Sequence, residues 1–286
     1  MQSTHDTFSA EVILLVDNGS LAPASILATR ELAAALAKRL NRPIEATGLL
    51  HVSKVPAEKL NGIPAQTCLP RIRELYAKGV RKFGILPLFI GPSLAVHEYL
   101  PKILSNLNFE LPEVQVKVAP VLCPSADNTD KVDRLARLCL RQIEAIKDYR
   151  KSAILLCDHG SPIAPVAAIR NAVAKRLQEL AGAACSVTAC SMERRDGDEY
   201  AFNDPLLEVA LNQPEVAQAE KRILSLLFLF PGRHAGPGGD VDQIAKEVYP
   251  SEDYILTDPL GLLPEFQDWI AERCEHFFVH EPSDIL

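Results

Sequence analysis

A chain of 286 residues, 48% hydrophobic and 23% charged, is long enough to bury two ordinary cores, and no segment approaches the roughly 20 apolar residues that span a membrane. A formal net charge of -7 and the lack of any Lys/Arg run interleaved with aromatics exclude a broad nucleic-acid surface, so an anionic ligand must meet local cations. Seven cysteines, odd in number and without a C-x-x-C pair, read as reduced core thiols. With a polar N-terminus that lacks a secretory pattern, they set the expectation of a cytoplasmic protein.

The first apolar run, "EVILLVD" at 11–17, stops at "NGS" and reads as a buried strand. A helix is expected over 24–40, a second strand over 44–52, a helix over 69–80 and a third strand over 82–90. A helix near 94–107, the strand "VQVKVAPVL" and a long helix near 128–147 complete the first half. Strands and helices that alternate in this way form a parallel sheet covered on both faces.

The pattern then restarts. "SAILLCDHGS" at 152–161 matches "EVILLVDNGS", and "AIRNAVAKRLQEL" at 168–180 matches "ATRELAAALAKRL" at 28–40. "CSVTACSME" at 185–193, "ILSLLFLFPG" at 223–232 and "ILTDPLGLLPEFQDWIAERC" at 255–274 follow in the order of their first-half counterparts. Asn18 and His159 lie 141 residues apart, Pro120 and Pro259 139 apart. Register kept so closely indicates a tandem duplication with its boundary near "KDYRK" at 147–151, giving two doubly wound parallel-sheet α/β domains, 1–147 and 148–286.

In open parallel sheets ligands bind beyond the carboxyl ends of the strands. In the second half those positions hold His159 after the first strand, Glu193 after the second and His234, in "FPGRHAGPGGD", after the third. The sequence comparison sets Asn18, Val52 and Ala95 opposite them, so the first half lacks all three ionisable groups. Two imidazoles and a carboxylate suit a divalent metal, and they can accept protons near neutral pH. Each also has a plainer reading. His159 can hydrogen-bond a turn, Glu193 can pair with Arg194 or Arg195, and the glycines around His234 can serve turn geometry alone. "GRHAGPGGD" lacks the spacing of a phosphate-binding loop, and Ser161, kept as Ser20 in the first half, reads as a turn residue or helix cap rather than a nucleophile.

With "HGS", the glutamate and "FLFPGRHAGPGGD" after successive strands, the sequence resembles the class II, CbiX/SirB-type sirohydrochlorin chelatases in their tandem two-domain form. The resemblance covers most of the chain, with "DNGS", "LPLFIGPS" and "APVLCPS" as a degenerate first copy. It implies a lyase that inserts a divalent metal, Fe2+, Co2+ or Ni2+, into sirohydrochlorin on the way to siroheme or cobalamin, with the site in the cleft between the domains. The metal is then a substrate and no cofactor is permanently bound. The partner is a tetrapyrrole rather than nucleic acid or membrane, and the chain works as a monomer with two internal domains or as a homodimer. His159, His234 and Glu193 take the catalytic and metal-handling places, and Arg194, Arg195 and Arg233 are cations for the substrate's carboxylates; solvated arginines are the plainer alternative. His51 and His97 fall one residue before and two beyond the vacant positions. A metal- or tetrapyrrole-binding carrier without catalysis is the rival reading.

Overall fold

The computed structural model describes residues 8–251 and 253–279. In chain order the first repeat forms β1 (Val12–Asp17), α1 (Pro23–Leu40), β2 (Ile44–Gly48), α2 (Cys68–Ala77), β3 (Lys82–Pro87), α3 (Leu100–Glu110), β4 (Gln115–Val118) and α4 (Thr129–Glu144). The second forms β5 (Ser152–Asp158), α5 (Ala164–Ala181), β6 (Ser186–Ser191), the short α6 (Leu207–Leu211) and α7 (Pro214–Ala217), β7 (Lys221–Leu226), α8 (Asp240–Val248), β8 (Ile255–Leu256) and α9 (Pro264–Cys274). Two all-parallel sheets result, ordered β2-β1-β3-β4 and β6-β5-β7-β8. The expected fold class, two doubly wound α/β units related by duplication, is what the chain adopts.

Several strands are shorter than their apolar runs, because prolines end them. Pro87 closes β3 and Pro120 follows the end of β4, while only Ile255 and Leu256 ahead of Pro259 pair as β8. A proline has no amide to continue the ladder. Every residue of β5 is buried. Its alternate side chains, such as Leu155 and Cys157, join Leu207, Leu211 and Val241 in one core layer under α6 and α8. The opposite face of the sheet is covered by α4 and α5, with Leu135, Cys139, Ile169 and Val173 fully buried. All seven cysteines are free and buried, and burial pushes the thiols of Cys68, Cys139 and Cys274 up to about 12.

The packing boundary differs from the repeat boundary at 147–151. One compact unit holds residues 8–88, 95–121 and 267–279, and the other 89–94 and 122–266. In the first unit the chain from 267 onward packs on the sheet: Phe278 lies on Gly84, where a Cβ would meet its ring at 2.8 Å, and Arg273 donates to the Pro120 carbonyl beyond β4. In the second unit α4 does the same, with Gln142 donating to the Asp258 carbonyl beyond β8. The helix that ends each repeat is thus built into the unit formed by the strands of the other.

The pairing corrects two details of the repeat alignment. Asp17 pairs with Gly48 and Asp158 with Ser191, so Glu193 corresponds to Leu50 and not to Val52. Helices α1 and α5 each run 18 residues and start and end 141 positions apart, so Arg170 corresponds to Thr29 and not to Arg30. A one-residue slip turns a helix by about 100°, which is why Arg30 and Arg170 differ. Arg30 reaches outward to the Leu60 and Ile63 carbonyls, whereas Arg170 is 1% exposed.

Inside the second unit the Arg170 guanidinium donates to the Ser191 hydroxyl, to the carbonyls of Asn203 at 3.0 Å and Phe202 at 3.2 Å, and to Asn171, with Asp158 at 3.5 Å. Burial pushes the Asp158 carboxyl above its usual value, opposed by the charge of Arg170 and by the Ser191 hydroxyl. The counterpart Asp17 has no cation beside it among the described residues; burial outweighs the bond from the Gly19 amide and raises its carboxyl to about 6. Two outcomes are expected. Arg170→Met leaves Asp158 buried and unpaired and lowers unfolding free energy by about 3–5 kcal/mol, an effect that Asp158→Asn in the same chain partly reverses in urea titrations. For Asp17, whose folded pKa lies above its unfolded one, the stability contributed is complete below pH 4 and is lost as pH rises through about 6. Asp17→Asn should remove that pH dependence and gain about 3 kcal/mol at pH 7 in buffer free of small inorganic cations.

Candidate functional site

Backbone geometry at the end of β5 decides which side chains meet. Gly160 sits at φ +93°, and a Cβ there would lie 1.9 Å from the Glu193 carbonyl oxygen; only glycine lets the two strand-end loops touch. Across this contact the amides of Met192 and Glu193 donate to the carbonyls of Asp158 and His159 at 2.8 and 3.2 Å. Gly19 repeats the arrangement against Leu50. The Asp158 carboxylate receives the Gly160 amide at 3.1 Å, and Asn203 clasps Ser161 through two bonds of 2.9 and 3.0 Å. Ser161 itself accepts from the Ile163 amide, as Ser20 does from Ala22, so it is a turn residue.

On this platform the structure brings His159, Glu193 and His234 together. Glu193 Oε1 lies 3.5 Å from His159 Nε2, and the rings of His159 and His234 meet edge to face with centroids 4.7 Å apart. The loop that delivers His234 turns at Gly236, φ +104°, and closes with the Asp240 and Val241 amides on the carbonyls of Arg233 and His234. Its glycines therefore shape turns, with no phosphate cradle.

One participant was not singled out in the sequence. Asp240, the first residue of α8, accepts from His234 Nδ1 at 2.7 Å. The helix N-terminus favours its negative charge. A carboxylate can only accept, so Nδ1 carries the proton and the Nε2 lone pair is left for a ligand or a proton. The signal was an aspartate six residues after the histidine, at the end of the glycine run; its meaning depended on how that loop folds back.

His159 is set similarly, with Nδ1 3.2 Å from the Gly160 carbonyl. Its Nε2 then faces the Glu193 carboxylate, a pairing that is attractive only when Nε2 is protonated or a cation lies between them. Side-chain exposures of 46% for His159, 61% for Glu193 and 32% for His234 leave the cluster open to solvent. Among the described residues no group of three or more His, Cys, Asp or Glu side chains is set to enclose a metal ion.

The arginines divide. Arg194 is occupied within its own loop, 3.0 Å from Asp204 and donating to the Gly197 carbonyl at 2.8 Å. Arg195 is exposed, 5.8 Å over the Tyr200 ring, and Arg233 is 79% exposed with Nε 3.5 Å from Asp240. In the first unit His51, at φ +62°, and His97, in the turn that precedes α3, are both exposed. Neither stands at the ladder position of its counterpart: Leu50 matches Glu193, and Ala95 lies 139 residues before His234 as Pro87 does before Leu226.

The family model CbiX matches residues 12–137 and again 153–277. SirB from Bacillus subtilis with Fe3+ superposes with a TM-score of 0.65 at 15% identity, covering 93% of this chain and 94% of that one. The sirohydrochlorin chelatase SirB from Bacillus subtilis subspecies spizizenii in complex with cobalt gives 0.61 at 13% identity, with the same coverage of 93% and 94%. A multi-domain protein from Deinococcus radiodurans with structural similarity to chelatases gives 0.58 at 17%, over 92% of this chain and 54% of that one. No curated protein matches the sequence. Among the described residues no helix is long and apolar enough to cross a membrane.

The geometry around His234 makes a prediction independent of function. In Asp240→Ala the ring loses its Nδ1 acceptor, and nitrogen NMR of the imidazole should show the Nε2-protonated tautomer growing at the expense of the Nδ1-protonated one that dominates the parent protein. An unchanged tautomer ratio would show that the carboxylate does not orient the ring.

Proposed function

Because the chain belongs to the CbiX family, we propose that it inserts a divalent metal ion into sirohydrochlorin, with iron or cobalt as the favoured substrates and nickel also chemically admissible. The observation that carries this reading is the contact of two imidazoles, one oriented by Asp240 and the other facing Glu193, at the carboxyl end of a parallel sheet. The structural relatives, one with Fe3+ and one with cobalt, support the choice of metals.

Metal insertion exchanges the ion's water ligands for four pyrrole nitrogens and releases two protons. In the proposed mechanism His159 and His234 hold the incoming ion through Nε2 and pass it on, and the Glu193 carboxylate accepts the protons that leave the macrocycle. The open arrangement suits transfer, since a site that enclosed the ion would retain it; the carrier reading gains nothing from a cluster without a closed ligand set. We assign Arg195 and Arg233 to the carboxylates of the macrocycle, which a planar guanidinium grips bidentately. Arg194 joins them only by giving up Asp204. We further assign 1–147 as the degenerate repeat and 148–286 as the repeat that carries the catalytic groups, in a cytoplasmic protein whose seven free thiols stay buried.

Anaerobic chelation of sirohydrochlorin with each metal tests this reading. His159→Ala and His234→Ala should each lower the rate by about 100-fold or more with unchanged circular dichroism, and Glu193→Gln by less. Asn18→Ala, His51→Ala and His97→Ala should each cost less than about tenfold. Near-normal rates in both histidine variants would overturn the assignment.

A further inference from the structure

Thr29 stands in the first unit where Arg170 stands in the second, and Gly48 stands where Ser191 does. The groups that surround Asp158 are therefore both truncated around Asp17. What remains is a cavity lined by Asp17, Thr29, Thr47 and Gln66 and walled by Ile26 and Val52, with room for one water-sized occupant. A serine cannot refill it, because a Cβ at Gly48 would lie 2.6 Å from the Val52 side chain.

Two oxygens beside Asp17 lack partners, and among the described residues the carboxylate has no counter-charge. Asp17 receives the Gly19 amide at 2.9 Å and has no ion pair. The Thr47 hydroxyl, 6% exposed as a residue and beside the Cys68 thiol, makes no hydrogen bond of good geometry. Gln66, which also lines the cavity, donates through Nε2 to Glu74 at 3.0 Å, and its buried Oε1 has no partner. Thr29 contributes no donor, since its hydroxyl is spent on the Ser25 carbonyl at 2.9 Å. A buried carboxylate beside two unpaired oxygens is unfavourable unless a cation or a proton joins it.

We propose that this cavity binds one dehydrated monovalent cation of about the size of a water molecule, potassium or ammonium, held by Asp17 and by the oxygens of Thr47 and Gln66. It replaces the guanidinium that Arg170 supplies in the other repeat. Magnesium is excluded, because it dehydrates reluctantly and would have to bring several waters into a cavity with room for one water-sized occupant. A proton neutralises Asp17 only below about pH 6, so at cytoplasmic pH the cation is the remaining counter-charge.

Thermal unfolding of the full chain at about pH 8 and constant ionic strength, in potassium, ammonium or choline chloride, tests the site. Either small cation should raise the melting temperature by about 3 °C over choline, as binding to the folded state alone requires at concentrations near ten times the dissociation constant. The difference between potassium and ammonium identifies the preferred ion. Asp17→Asn, which removes a buried charge and is expected to fold, should abolish the gain. In crystals, thallium(I) used as a potassium mimic should give an anomalous peak between Asp17 and Gln66. Equal melting temperatures in choline and the small cations, or a gain that survives Asp17→Asn, would overturn the proposal.

Discussion

The Arg170 guanidinium is held out of water at the carboxyl end of β5, and its hydrogen bonds reach β6 and the loop that follows it as well as its own helix. Burying such an ion costs several kcal/mol, which is repaid only if nearly every donor finds a partner. Here the partners are Asp158, Ser191, Asn171 and the carbonyls of Phe202 and Asn203. Those same residues set the two loops that carry His159 and Glu193: Asp158 holds the Gly160 amide, and Asn203 holds both ends of Ser161. Two exposed side chains thus stand on backbone that is fixed from beneath, an economical way to keep reactive groups open to solvent and still aligned.

The repeats show what a duplicated scaffold must keep and what it can shed. Gly19 and Gly160 both survive, since either backbone contact fails with any Cβ present. Ser20 and Ser161 survive as the same turn bond. The ionisable groups at the strand ends differ, and Thr29 and Gly48 stand in the first repeat where the second has the arginine and serine around its buried aspartate. The aspartate is common to both repeats, and Asp17 accepts from the Gly19 amide without the guanidinium that Asp158 has beside it.

Much of this was legible in the sequence. Apolar runs ending in "DNGS" and "DHGS", helices of equal length and the order of elements yielded both sheets, and the strand-end rule picked out the three side chains that converge. Periodicity is blind to register across a gap, however. The link from the start of α5 to β6 is two residues longer than its counterpart, so a count along the chain set Val52 opposite Glu193 where the ladder sets Leu50. The same blindness put Arg30 in the place of Arg170. Asp240 was hidden for another reason: its pairing with His234 is created by a glycine-rich loop whose path no pattern of apolar residues encodes. The exchange of α4 and α9 was equally invisible, because an amphipathic helix shows that it is buried on one face and not on which sheet.

That exchange bears on how the chain can be dissected. A fragment cut at the repeat boundary and starting at residue 148 would lack α4, whose Val132, Leu135, Cys139 and Ile143 are buried in the unit that holds the candidate site. It would also carry the 267–279 segment, with the fully buried Phe278, away from the sheet that it covers. Exposing that much apolar surface costs more than the net stability of an ordinary domain. Loss of activity in such a fragment would therefore report unfolding and say nothing of the first repeat's part in the reaction. Point substitutions at solvent-exposed strand ends leave both cores whole, so they, and not truncation, can apportion the chemistry between the repeats.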